Sequence, residues 1–124
     1  MPRIADYLIA ADNKFEISRV SDGGFNHVLN FELDAGVHLA SRSVLMFVIL
    51  VLDGTKNLKF EVKVNGSQQL DYTLTATPTR VHTIHEVINA NVLKHGNNTL
   101  DFHPMAGVGK LEFGDVVLFY QRDI

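Results

Sequence analysis

Six histidines offer the clearest source of metal or acid–base chemistry in this sequence: His27, His38, His82, His85, His95 and His103. Imidazole nitrogens bind transition metals, but a tetrahedral site needs several ligands whose spacing fits the local backbone. His82 and His85 lie three residues apart, so a strand places them on opposite faces and only a helix brings them together. Glu86 follows directly, without an HExxH pattern. We therefore predict surface or edge histidines and no metal site.

Oxygen ligands for calcium occur in two loops, at 22–26 and 53–57, each of which contains Asp, Asn and Gly. Neither loop has the spacing of an EF-hand, and Lys56 would oppose a cation in the second loop. Asp and Asn also favour turns in the absence of any metal. Turn formation is the preferred interpretation of both loops, and a structural calcium is the alternative.

The sequence contains no recognisable set of catalytic residues. The chain has no cysteine, and no Gly-x-Ser-x-Gly elbow is present to expose a nucleophile. Asp71, Glu86, Asp101 and Glu112 are candidate carboxylates for glycoside chemistry, but the sequence does not place any two at a catalytic separation. We predict a protein that is not an enzyme, with no catalytic residues and no cofactor.

Saccharide binding usually needs an exposed aromatic ring flanked by hydrogen-bonding side chains. The chain has no Trp, and Phe25, Tyr72 and Tyr120 are the aromatic residues predicted to face solvent. The predicted ligand-binding residues are Phe25, His27, Tyr72, Arg80, His82, Asn97 and His103. Core packing and loop hydrogen bonds explain the same residues without a ligand, so this alternative stays open.

The composition of the 124-residue chain is that of a globular domain, with 46% hydrophobic and 20% charged residues. We predict one domain that spans residues 1–124. The formal net charge is -3 and the 11 basic residues form no run, so neither nucleic acid nor a membrane surface is an expected partner. The N-terminus lacks the apolar segment of a secretion signal, and we expect a cytoplasmic protein.

Gly and Pro punctuate the chain about every ten residues, which is typical of β-sandwiches and barrels. The pattern predicts an all-β fold, an antiparallel β-sandwich of the jelly-roll kind with about eight strands and one short helical turn. Strands are predicted at 14–20, 27–33, 44–52, 58–65, 68–75, 79–84, 99–103 and 110–122. The apolar run at 44–52 is about half as long as a membrane-spanning helix and predicts a central strand. A glycine-bearing turn is predicted at 104–109.

The clearest local feature is the alternation of apolar and polar residues at 58–64, which ends at Asn65-Gly66. A period of two places Phe60, Val62 and Val64 toward the core, and Lys59, Glu61 and Lys63 toward water. Asn-Gly tolerates the positive φ angles of a type I′ turn. The segment therefore predicts a β-hairpin into the strand at 68–75.

One segment departs from the β pattern. Ile84, Val87, Ile88 and Leu93 are spaced more like a short helical turn than a strand, and Gly96 provides a stop. We predict a brief helix or an irregular loop there.

Four segments together carry a family resemblance: VKVNG at 62–66, VHTI at 81–84, LKHGNNTLDF at 93–102 and FGDVVLFY at 113–120. In this order they resemble the galactose-binding-domain-like jelly roll, particularly the noncatalytic carbohydrate-binding-like module of polysaccharide lyases such as rhamnogalacturonan lyase. The resemblance covers the chain from Val44 onward. It implies a jelly-roll sandwich that binds without catalysing.

We therefore predict a nonenzymatic binding module with a carbohydrate-like ligand. The alternative is a structural or protein-interaction domain that acts through homo-oligomerisation, and the apolar segment 116–120 would support such pairing at a sheet edge. A groove with an exposed aromatic ring favours the first hypothesis. A broad apolar patch repeated by symmetry favours the second.

Overall fold

A computed structural model describes residues 2–21, 23–76 and 81–124, and these residues form nine β-strands and no helix. The strands are β1 (Arg3–Ala11), β2 (Phe15–Val20), β3 (Gly23–Phe25), β4 (His27–Leu33), β5 (Ser43–Val51), β6 (Lys56–Val64), β7 (Ser67–Leu74), β8 (Val81–Ile88) and β9 (Gly96–Asp123). The described part of the chain thus contains no helix that would be long enough to cross a membrane. The predicted all-β fold is confirmed.

The strands form two antiparallel sheets that share β9, an arrangement of the jelly-roll type. In sheet B the first part of β9 lies between β4 and β6, and β7 completes the edge beyond β6. In sheet A the last part of β9 pairs with β5 on one side and with β2 and β1 on the other. The outer strands of sheet A are β8, beside β5, and β3, beside β2.

The passage of β9 between the sheets takes place at Gly107 and Gly109, where φ is 78° and 128°. A Cβ atom at Gly107 would lie 1.9 Å from the carbonyl oxygen of Asn57, and one at Gly109 would lie 2.4 Å from Thr55. The predicted turn at 104–109 is therefore wrong. These glycines let one strand bend and contact another backbone closely, rather than reverse the chain.

The core between the sheets contains a cluster of aromatic rings: Phe15, Phe47, Phe60, Phe102 and Phe113. The Phe113 ring lies 5.0 Å from Phe102, 5.4 Å from Phe60 and 5.7 Å from Phe47, measured between centroids. Phe15 stacks on Phe113 at 5.2 Å with an interplanar angle of 7°. The cluster therefore connects both sheets and reaches the end of the sandwich at Phe15.

The predicted hairpin is confirmed, because β6 and β7 join through Asn65 and Gly66, both with positive φ. Phe60 and its inward neighbours are fully buried as expected. Glu61 is an exception among the residues predicted to face water, because only 6% of it is exposed. Its carboxylate lies 3.4 Å from the ammonium group of Lys63, and Glu61 lies between Asp71 on β7 and His103 on β9.

The predicted helical turn is wrong, because Ile84, Val87 and Ile88 belong to β8. This strand pairs with β5 along its length, from Leu50 opposite Val81 to Ser43 opposite Ile88. The ladder supplies backbone hydrogen bonds that local spacing does not reveal. The strand predicted at 79–84 begins in residues outside the described part of the chain.

Two predictions about β9 need correction. Tyr120 does not face solvent, because only 7% of it is exposed. The segment 116–120 is not a sheet edge either, because it pairs with β1 on one side and β5 on the other. β9 is one strand of 28 residues, and its last part lies inside sheet A. The sequence pattern predicted two shorter strands in its place and did not indicate this inner position.

The open side of the sandwich, between the edge strands β7 and β8, is joined by side chains. The hydroxyl of Tyr72 donates a hydrogen bond to a carboxylate oxygen of Glu86. The side-chain oxygen of Gln69 accepts a hydrogen bond of 2.9 Å from the backbone N–H of Asn89. The hydrogen bond to Glu86, burial and the nearby charges of Glu86 and Asp71 raise the pKa of Tyr72 to about 12.

We predict that Phe60→Ala lowers the free energy of unfolding by about 3–5 kcal/mol, because it leaves a cavity in the aromatic cluster. Phe25→Ala is the matched control, since 77% of Phe25 is exposed whereas Phe60 is fully buried. The control should change stability by about 0.5 kcal/mol or less. Chemical denaturation of both variants measures the difference, and equal losses would contradict the core position of Phe60.

The raised pKa of Tyr72 predicts a loss of stability at high pH. Tyrosine in an unfolded chain has a pKa of about 10, so Tyr72 contributes stability that is fully present below that pH. This contribution is lost as pH rises through about 12. In an ultraviolet titration, Tyr72→Phe should remove the tyrosine step near pH 12. Tyr7→Phe, at a residue that is 59% exposed, should leave that step in place.

Candidate functional site

A concave pocket of about 320 Å³ opens at one end of the sandwich, where the loop from β1 to β2 faces the start of β4. Its lining consists of Ala10, Ala11, Asp12, Asn13, Lys14, Phe15, His27 and Leu29. Small-molecule sites typically have volumes of roughly 300–1,000 Å³, with an apolar lining and a few polar groups that fix orientation. This pocket has a volume in that range, and half of its lining residues carry polar side chains.

One wall of the pocket is the imidazole of His27, which extends the aromatic cluster. The His27 ring stacks on Phe15 at 4.3 Å with an interplanar angle of 14°, and Phe15 stacks in turn on Phe113. Three nearly parallel rings therefore run from the core to the pocket. Because Phe15 is buried between its neighbours, the imidazole rests on a rigid support.

The polar wall is the loop 12–14, whose three side chains are a carboxylate, an amide and an ammonium group. The Lys14 ammonium lies 3.3 Å from a carboxylate oxygen of Glu112 on β9, so this side chain extends from the loop toward sheet A. Asp12 and Asn13 are exposed. Their oxygens accept hydrogen bonds and the Asn13 amide also donates them, so the loop suits a ligand rich in hydroxyl groups.

The pocket contains one carboxylate, that of Asp12. Hydrolysis of a glycosidic bond by the usual route needs two carboxyl groups that flank the bond. The lining also has no serine, threonine or cysteine to act as a nucleophile.

Two of the predicted ligand residues, Phe25 and His27, lie near one another at this end of the sandwich. His27 is part of the pocket lining, and Phe25 is on β3 opposite Ser18, with 77% of the residue exposed. Between them, the Asn26 amide donates a hydrogen bond of 3.0 Å to Asp101. That bond fixes the chain where it leaves sheet A for sheet B.

Asn97 and His103 lie elsewhere, exposed on β9 in sheet B. Asn97 is opposite Glu32, and His103 is opposite Glu61. Six residues of extended strand separate them by roughly 20 Å. A single small ligand in the pocket therefore does not contact both.

Tyr72 and His82 lie on the edge strands β7 and β8, and both are half-buried. The Tyr72 hydroxyl donates a hydrogen bond to Glu86, and the centroid of its ring lies 6.1 Å from that of Phe60. In sheet B, β7 is three strands from the β4 that carries His27, a distance of about 14 Å. Arg80 lies outside the described residues.

The loop residues Asp12, Asn13 and Lys14 were not among the predicted ligand-binding residues. The sequence feature that indicates this loop is the run of three polar residues between two apolar stretches. It was missed because β1 was not predicted, so the loop was not recognised as the connection between two strands. Lys14 itself was assigned to the start of a strand.

No three His, Asp or Glu side chains of residues 2–21, 23–76 and 81–124 are grouped closely enough to hold a metal ion. In the loop 53–57, the Thr55 hydroxyl donates to the carbonyl of Lys110 at 2.9 Å. The side-chain oxygen of Asn57 accepts a hydrogen bond of 3.2 Å from Thr75. Both side chains thus support the local fold, as the preferred interpretation of this loop expects.

No family model and no curated protein matches the chain. Solved structures do match. Dimeric latent PorU from Porphyromonas gingivalis aligns with a TM-score of 0.70 and 12% identity over 99% of this chain, which spans 13% of the length of PorU. A family 35 carbohydrate binding module from Clostridium thermocellum aligns with a TM-score of 0.54 and 17% identity. The alignment covers 92% of this chain and 97% of that module. The xylan-binding module CBM15 aligns with a TM-score of 0.57 and 9% identity, over 96% of this chain and 97% of that module.

At these identities the likeness establishes the fold, a jelly-roll β-sandwich, and not the ligand. The jelly-roll part of the predicted resemblance is confirmed. Its finer part, the likeness to the module of rhamnogalacturonan lyases, stays a prediction.

Proposed function

We propose that this chain is a nonenzymatic carbohydrate-binding module that holds a saccharide in the pocket between the loop 12–14 and His27. The observation that carries the proposal is the aromatic stack that ends in the pocket opposite three different polar side chains. A rigid ring face and convergent hydrogen-bonding groups are the two elements that sugar recognition requires.

The two sides of the pocket match the two sides of a sugar ring. A pyranose presents C–H groups on its faces and hydroxyl groups around its rim. The flat His27 imidazole offers a surface for the C–H face, while Asp12, Asn13 and Lys14 offer acceptors and donors for the hydroxyls. Phe25 is exposed close by and provides a second ring surface for a longer saccharide.

The structural neighbours support this proposal by analogy. Two of them, a family 35 carbohydrate binding module and a xylan-binding module, share the fold over nearly their whole lengths. Jelly-roll sandwiches serve several functions, so the site geometry carries more weight than the fold.

The first experiment is a glycan array of neutral and acidic oligosaccharides, followed by titration calorimetry with the best binder. Asn13→Ala should weaken binding of that oligosaccharide about tenfold, because it removes one or two hydrogen bonds from an exposed loop. His27→Ala should weaken it at least as much, because the ring surface is lost.

Asn97→Ala is the matched control, since it removes the same amide from an exposed position outside the pocket. Its affinity should equal that of the unmodified chain, and the Asn13 and Asn97 variants should keep their melting temperatures within a few degrees of it. An array without binding would contradict the carbohydrate proposal. Binding that depends on Asn97 and not on Asn13 would move the site to sheet B.

A further inference from the structure

The outer face of sheet A is apolar, although it is turned away from the core. We call it the outer apolar face, and its residues are Tyr7, Ile9, Val44, Met46, Val48, Leu50, Val81, Val87, Val117 and Phe119. Alternation along β5 sends Leu45, Phe47 and Ile49 into the core and leaves the intervening residues on this face. Tyr7, Ile9, Val81 and Val87 are each at least half exposed.

The strand register makes these residues one continuous surface. Phe119 lies opposite Tyr7 on one side and Val44 on the other, and Val44 lies opposite Val87. The Tyr7 and Phe119 ring centroids are 6.3 Å apart. Further along, Val117 connects Ile9 to Met46 in the same way.

Exposed faces of antiparallel sheets normally carry polar residues. Sheet B follows this rule, since the outward residues of β6 are Lys59, Glu61 and Lys63. The outer apolar face does not, and the polar side chains on its part of β8 are Thr83 and His85. Large continuous apolar patches of this kind mark protein contact surfaces.

We infer that the outer apolar face is the contact surface of a symmetric homodimer, in which sheet A of one copy packs on sheet A of the other. A sheet face packs best on a second face of matching twist, at about 10 Å, as in the core of a sandwich. A second copy supplies a face with that same twist.

The face is also shaped to fit itself. The protruding Tyr7 and Phe119 rings are at one end, and a shallow hollow of about 190 Å³ is at the other. The hollow is lined by Val48, Leu50 and Val81 together with the Lys14–Glu112 pair. A twofold axis that lies in the plane of the face and runs across the strands places the rings of each copy over the hollow of the other. This is the contact that an isologous interface requires.

The outer apolar face is smaller than a standard interface and matches the apolar core of one. Four strands about 4.8 Å apart and six residues of strand length give a projected area of about 400 Å². Each partner in a standard interface buries about 800 Å², with an apolar core and a polar rim. The outer apolar face therefore provides the core, and the surrounding residues provide the rim.

The charges at the two ends allow this pairing. Arg3 lies opposite Asp123 at the end of the rings, and Lys14 pairs with Glu112 at the end of the hollow. The end of the hollow also carries the carboxylates of Asp115 and of Glu16, which lies opposite Glu112, so a twofold arrangement brings Arg3 of one copy toward an acidic end of the other. The net charge of -3 adds little repulsion between copies.

Sedimentation equilibrium over a range of concentrations tests the inference. The unmodified chain should be a dimer, and Ile9→Lys or Val87→Lys should raise the dimer dissociation constant about 30-fold or more, because each buries a lysine at the contact. Val28→Lys is the control, since Val28 is 46% exposed on β4 of sheet B. That variant should remain a dimer.

Melting curves identify any variant that fails to fold, and the use of two variants on different strands keeps the test decisive. A chain that stays monomeric at all concentrations would overturn the inference, and would assign the face to another domain or another protein. Equal weakening by Val28→Lys and Ile9→Lys would overturn it as well. Neither outcome affects the carbohydrate proposal, which is tested by a different measurement on different variants. Lys14, which borders both the pocket and the hollow, is unchanged in all of them.

Discussion

The double pairing of β9 is the constraint on which the rest of the structure depends. Its first part is a central strand of sheet B and its last part is a central strand of sheet A, so one segment fixes how the two sheets face each other. The bend at Gly107 and Gly109 is tolerated because neither residue has a Cβ atom to clash with Thr55 or with the first residues of β6. Phe102 and Phe113, on either side of the bend, bring the aromatic cluster together between the sheets.

The same cluster links stability to the candidate site. Phe15 packs on Phe113 in the core and also supports the His27 imidazole at the pocket. A ring held on one face by a buried neighbour loses little additional freedom when a ligand covers the other, and such preorganisation favours binding. The pocket is thus an extension of the core packing, and its rigid wall and its exposed loop have separate structural origins.

Sequence reasoning succeeded where the signal was local. Asn65-Gly66 determined the hairpin, and the strand containing His27 was placed correctly. It failed where long-range pairing decides the outcome: the glycines at 107 and 109 indicated a turn although they serve a bend, and β8 is a strand because β5 lies beside it. In the site, His27 was predicted, but the loop 12–14 was not. β1 was missed because Tyr7 and Ile9 make its solvent side apolar, which hides the usual alternation.

The outer apolar face and the pocket meet at one pair of residues. Lys14 lines the pocket, and its partner Glu112 lines the hollow on the outer face. Water screens such a pair strongly, because the Lys14 side chain is 79% exposed, and exposed pairs contribute little. A second copy over the hollow would displace part of that water and strengthen the attraction. Lys14 would then be held more firmly against Glu112, at the border that the pocket and the hollow share.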